Sequence, residues 1–355
     1  MQRTGFWLAI AGVAMALTAM AISVIALNRA GHSQGGMGSM SGMQSMGGSM
    51  GAHMAAVPAG GVPAARKAVG GRLLEPRTRN GIATFDLTAK PVRWSILPGV
   101  RVVAWTYDGV TPGPELRVPY GQRVRITIRN DLPEATSVHW HGIGVPNAMD
   151  GVPGLTQKPI APGKRFTYEF RAIPAGGNSK GGTFFYHSHF DEDRQVGLGL
   201  AGAFVIEPPR AARYDLERTL MIQEWNLTDG ETRPAMDMEG MLPNYFTLNG
   251  KSFPATETIK MRVGERALLR LVGAGQFTHP MHLHGTDFRV VAVDGHPVAG
   301  SPPRQDTVLI GSGQRYDIAF AFTSPGRWIF HCHIGHHLTN DGESPGGLMT
   351  VFDVT

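Results

Sequence analysis

The sequence predicts an all-β protein made of two tandem copies of one sandwich domain. The chain holds 47 glycines and 25 prolines in 355 residues, and its Val/Ile/Phe-rich runs are short and set off by those turn formers, a pattern of strands rather than helices. Within the runs apolar and polar residues alternate, as Val124, Ile126 and Ile128 do among Arg and Thr in GQRVRITI; a period of two belongs to a sheet with one buried face. Whole blocks also recur. PGKRFTYEF leading to GTFFYHSHF in the first half lines up with SGQRYDIAF leading to GRWIFHCHI in the second, and GQRVRITI before HWHG lines up with GERALLRL before HLHG.

Composition narrows the function classes. At 42% hydrophobic and 17% charged, the chain can bury a core and is not disordered. Its net charge of +5 comes from Lys and Arg scattered along the chain, with no basic stripe and no interleaved aromatics, so nucleic acid is not an expected partner.

Taken in order, residues 1–30 carry an address. FWLAIAGVAMALTAMAISVIAL, at 6–27, has no charge and follows Arg3. It has the length of one membrane span, while Ala19-Met20-Ala21 offers a small-residue cleavage site, so it reads as a membrane anchor or a signal peptide. Either way the rest of the chain is expected outside the cytoplasm, periplasmic or at the cell surface. Residues 31–72 form a Met/Gly/Ser-rich linker. It reads as a flexible tether, although Met37, Met40, Met43, Met46, Met50 and Met54 are thioethers, soft ligands suited to gathering Cu(I). The first sandwich is expected over 73–208, the second over 209–355, with Glu207-Pro208-Pro209-Arg210 at the joint.

Aligning the copies turns a list of histidines into a geometry. His139 and His141 match His282 and His284, while His187 and His189 match His331 and His333. In a strand, residues i and i+2 share a face and residue i+1 takes the other. Each His-x-His therefore aims two imidazoles one way, and two such domains facing each other would close eight of them around a metal cluster. The middle residue of the last pair is Cys332, the only cysteine of the chain. Turned into its own domain, its thiolate would join His279 and His337 in the Cys-His-His set of a blue-copper electron-transfer site. The first copy holds Thr136, Ser188 and Asp193 at the aligned positions, so it lacks all three ligands.

HWHG, HSH, HPMHLHG and HCHIGHH together resemble the copper motifs of the multicopper oxidases, over residues 75–355. The resemblance implies two cupredoxin-like Greek-key sandwiches and about four copper ions per chain. By it, His279, Cys332 and His337 would hold type 1 copper, His139 and His282 type 2, and His141, His187, His189, His284, His331 and His333 the type 3 pair. Leu348 would fill the axial position of type 1 without coordinating, with Met349 as its rival. Asp150 matches an acid that family members keep near type 2, and is otherwise a turn residue; the run 191–193 is a second acidic candidate, or a solvated loop. Having no room for a middle domain, the chain is similar to the two-domain laccases, homotrimers whose clusters form between domain 1 of one subunit and domain 2 of its neighbour. Family members pass single electrons from a small reductant through type 1 and reduce dioxygen to water. The reductant is expected to be a phenol or other small aromatic. Alternatively it is Cu(I), a reading motivated by the linker and by Met236, Met238 and Met241; a copper-binding protein without turnover is a third reading.

Overall fold

Val124, Ile126 and Ile128 take the inner face of the strand Arg123–Asn130 and are almost wholly buried, while the residues between them stay partly exposed. The same alternation builds two sandwiches from strands alone. The computed structural model describes residues 55–177 and 179–355. The uncharged run at 6–27 and the methionines from Met37 to Met54 lie outside the described residues; among the described residues no helix is long and apolar enough to cross a membrane.

In the first sandwich one sheet runs Leu73–Leu74, Gly113–Pro119, Ala201–Glu207, Gly182–His187, His139–His141 in order of pairing. The facing sheet runs Arg77–Arg79, Ile82–Leu97, Arg123–Asn130, Arg165–Arg171, with Val100–Tyr107 bonded to the long second strand. The second sandwich repeats the plan. Thr258–Met261, Met349–Val354, Gly326–Cys332, His279–Leu283 and Thr307–Ile310 make the sheet that carries the histidines, and a larger sheet centred on Leu216–Thr228, Ala267–Gly273 and Arg315–Phe320 faces it. Neighbours are out of chain order, as crossed Greek-key connections require. The parallel pairing of Ile82–Leu97 with Arg123–Asn130 recurs as that of Leu216–Thr228 with Ala267–Gly273.

Each sandwich has its own core, one around Trp140, Tyr186 and Phe204, the other around Phe246, Leu271, Phe330 and Phe352. Two further clusters join them. The far half of the long strand brings Val92, Trp94 and Ile96 against Trp225 and Tyr245, and Phe185, Ala201 and Ala203 meet Met221, Val272 and Ala274. Burying a side chain as large as Trp225 removes enough apolar surface to stabilise this junction by about 2–3 kcal/mol. A polar bond crosses as well, Thr183 donating to Asp317 (2.5 Å), which also pairs with Arg270 at 2.8 Å.

The end of the expected linker is laid along this body. Val57 is buried and its N–H donates to the Thr232 carbonyl (2.8 Å), the Arg93 N–H donates to Pro63, and Arg194 donates to the Ala55 carbonyl.

Candidate metal centres

Strand register brings the histidines together. In the first sandwich His139 pairs directly with His187 across neighbouring strands; in the second His282 pairs with His331. Around His139 the rings of His141, His187 and His189 lie 5.4–5.6 Å away, centre to centre. His284, His331 and His333 surround His282 at 4.8–5.7 Å. Ligand nitrogens of His139, His141 and His187 all fall within 4.8 Å of one another.

Backbone carbonyls choose which nitrogen each ring presents. A carbonyl only accepts, so the Nδ1 facing it carries the proton and Nε2 keeps its lone pair for a metal. His187 Nδ1 donates to the Ser188 carbonyl (2.9 Å) and His331 Nδ1 to that of Cys332 (2.7 Å). His139 Nδ1 donates to the Asp150 carbonyl (2.8 Å) and His282 Nδ1 to that of Asp306 (3.0 Å). The Asp150 carboxylate lies 3.4 Å from His139, and the residue also closes the 3-10 turn Asn147–Met149. Asp306, its counterpart, was not singled out from the sequence. Of the acidic run 191–193, Glu192 brings its carboxylate to 3.4 Å from His187 and 3.7 Å from His189. No hydrogen bond or ring contact among the described residues joins the two quartets. Both have partly exposed members.

Cys332 faces the other way. It is buried in the second core, with its Sγ 3.9 Å from His279 Nδ1 and 3.5 Å from His337 Nδ1, and those two nitrogens 3.0 Å apart. Three donors on the corners of so small a triangle, one thiolate and two imidazoles, fit a single copper ion. Leu348 accepts the Cys332 N–H on its carbonyl and gives its own N–H to His337, so it lies buried against the set, whereas Met349 pairs in register with His331. Behind His279 stands a residue that sequence reading missed. Glu224 is buried, and its Oε1 accepts the His279 Nε2–H at 2.7 Å. A lone acid inside the apolar strand pattern LMIQEWNL was the available signal, since glutamate is rarely buried without a partner.

The corresponding space in the first sandwich is filled by hydrogen bonds. Thr136 and Ser188 both donate to Gln195 Oε1, at 2.8 and 2.6 Å, and Gln195 donates to the Ala135 carbonyl. The third polar side chain is therefore Gln195, not the Asp193 given by offset counting. The short α-helix Glu192–Gly197 intervenes and carries the chain past that register.

Burial dominates the electrostatics. It pushes His187 and His141 down to about 3 and His337 to about 4, so these rings are neutral, the ligating form. The Cys332 thiol is pushed up to about 11, chiefly by burial and further by the Glu224 charge; copper must displace that proton to bind. A stability consequence follows for the copper-free protein. His187 titrates near 6.5 when unfolded and near 3 when folded, so as pH falls through this window the unfolded chain takes up the proton first. Stability is full above about pH 6.5 and declines toward pH 3, by up to about 1.4 kcal/mol per pH unit for such a group. The melting temperature of copper-free protein is expected to drop between pH 7 and 4.5, and less steeply in His187→Gln.

The comparisons with known proteins agree with this geometry. Residues 88–211 and 226–354 each match a family model described as multicopper oxidase. The solved blue copper oxidase of Nitrosomonas europaea is 33% identical, with a TM-score of 0.71 over 76% of this chain and 85% of that one. Laccase-1 of Botryotinia fuckeliana is 34% identical over 235 residues, 62% of this chain and 39% of that protein. Multicopper oxidase MmcO of Mycobacterium tuberculosis is 30% identical over 269 residues, 66% and 51%. The chain thus spans only about two fifths to one half of the length of these two curated relatives.

Proposed function

The chain belongs to the multicopper oxidase family, and from that premise we propose that it oxidises a small phenolic or other aromatic reductant one electron at a time and reduces dioxygen to water. Copper at these donors supplies the electron transfer and the dioxygen-reducing centre. One observation carries the reading: Cys332 turns toward His279 and His337 while His331 and His333, its neighbours on either side, turn toward the second quartet. Sulfur and cluster ligands are thereby joined through a few covalent bonds.

In this reading His279, Cys332 and His337 would hold type 1 copper, with the apolar Leu348 buried beside them. His139 and His282 hold type 2, and the remaining six histidines hold the type 3 pair, about four ions per chain. Asp150 steers His139 and stands ready as an acid beside it. That no hydrogen bond or ring contact among the described residues joins the quartets within one chain supports a homotrimer, with each cluster closed by a neighbouring copy. An extracytoplasmic location, with residues 6–27 as anchor or signal, completes the proposal.

The alternative reductant is Cu(I). Of the loop methionines Met236 and Met241 are buried, which favours packing over capture for both. What favours this reading is that Val57, three residues beyond Met54, bonds to Thr232, just before that loop. Oxygen uptake by copper-loaded protein, with a phenol and with Cu(I) side by side, separates the two. Deleting residues 31–54 is expected to leave phenol-driven uptake within about twofold of the full chain. A selective loss of Cu(I)-driven uptake would establish the metallo-oxidase instead.

A further inference from the structure

A buried carboxylate is costly unless it is paired or fully hydrogen-bonded. Glu224 lies in the middle of the strand Leu216–Thr228, in a run of buried residues, and among the described residues its one ion-pair partner is His279. Both carboxylate oxygens face N–H donors, Oε1 the imidazole of His279 and Oε2 the backbone of Gln276 at 3.1 Å. Neither oxygen has an acceptor for a proton of its own, so the group is held as an acceptor at both ends. The chain also makes room for it. A Cβ on Gly275 would come within 1.6 Å of Glu224 Oε2, and the backbone there needs no positive φ, so that glycine serves the carboxylate and not a turn.

We propose that Glu224 is a positioning residue for His279: it fixes the proton on Nε2, aims Nδ1 at the copper shared with Cys332 and His337, and lowers that copper's reduction potential. This rests on the type 1 reading above. Outer hydrogen bonds of this kind orient a ligand imidazole and raise its basicity. A negative charge one ring away from the metal favours Cu(II) over Cu(I).

The test uses the full copper-loaded chain, with its blue band poised against a one-electron mediator couple. Glu224→Gln keeps an acceptor for His279 and removes the charge. The band is expected to remain, and the reduced-to-oxidised ratio at a fixed mediator poise to rise about tenfold, an upward shift of about 59 mV. Gly275→Ala keeps the charge but forces the carboxylate off His279, and is expected to move the ratio in the same direction by less. Ratios within about twofold of the unaltered protein in both variants, with the blue band intact, would overturn the proposal. If Glu224→Gln does not load copper, Gly275→Ala alone decides. A missing blue band in the unaltered protein would sink the type 1 reading itself, a separate outcome.

Discussion

Replacing Cys332 by serine is expected to abolish the blue absorption of the copper-loaded protein and to take phenol-driven oxygen uptake to background, with the fold intact. The colour arises from thiolate bound to copper, and a hydroxyl is a hard, protonated donor that cannot stand in for it. Folding survives for two reasons. A hydroxyl buried in that core costs about 1–3 kcal/mol, against a typical domain stability of about 5–15 kcal/mol, and His279 and His337 offer it nitrogens. The first sandwich already carries serine in the same register, where Thr136 and Gln195 accommodate Ser188. Circular dichroism should be unchanged, and metal analysis should show a loss of about one copper of about four. Retained blue colour would remove Cys332 from the site.

The histidine constellation was legible because it depends only on strand geometry. Period two sends His331 and His333 one way and Cys332 the other, and the repeat supplies the cross-strand partners, His139 with His187 and His282 with His331. What lay beyond reading is what the loops and the facing sheets contribute. Asp150 lies 11 residues from His139, but its twin Asp306 lies 24 residues from His282, because the two copies return to their sheet edges by loops of different length. Glu224 reaches His279 across 55 residues from the opposite sheet, so no local spacing announces it. Gln195 replaced Asp193 because a helical turn advances the chain differently from the extended offset used for alignment.

Copies of the chain that each lack one half of the cluster are expected to restore activity to one another. His187→Ala damages the first quartet and leaves the second; His284→Ala does the reverse. Each variant alone should be inactive in oxygen reduction while keeping its blue band, because His279, Cys332 and His337 belong to neither quartet. Within one chain no hydrogen bond or ring contact among the described residues joins the quartets, and beside His141 stands a turn of the second sandwich, Gly313 lying where a Cβ would come 3.2 Å from that ring. On the proposed shared cluster the second quartet comes from a neighbour, in a head-to-tail contact that closes as a ring. When the variants are unfolded and refolded together in equal amounts, half of the first-sandwich faces and half of the second-sandwich faces are intact, so about a quarter of the junctions should be complete. Oxygen uptake near a quarter of the unaltered protein's supports a cluster shared between copies. Uptake at background, with mixed oligomers verified by mass, would mean that the cluster closes within one chain. Leu155, five residues beyond Asp150, and Leu309, on the strand next to that of His282, are exposed apolar residues that such a junction would cover.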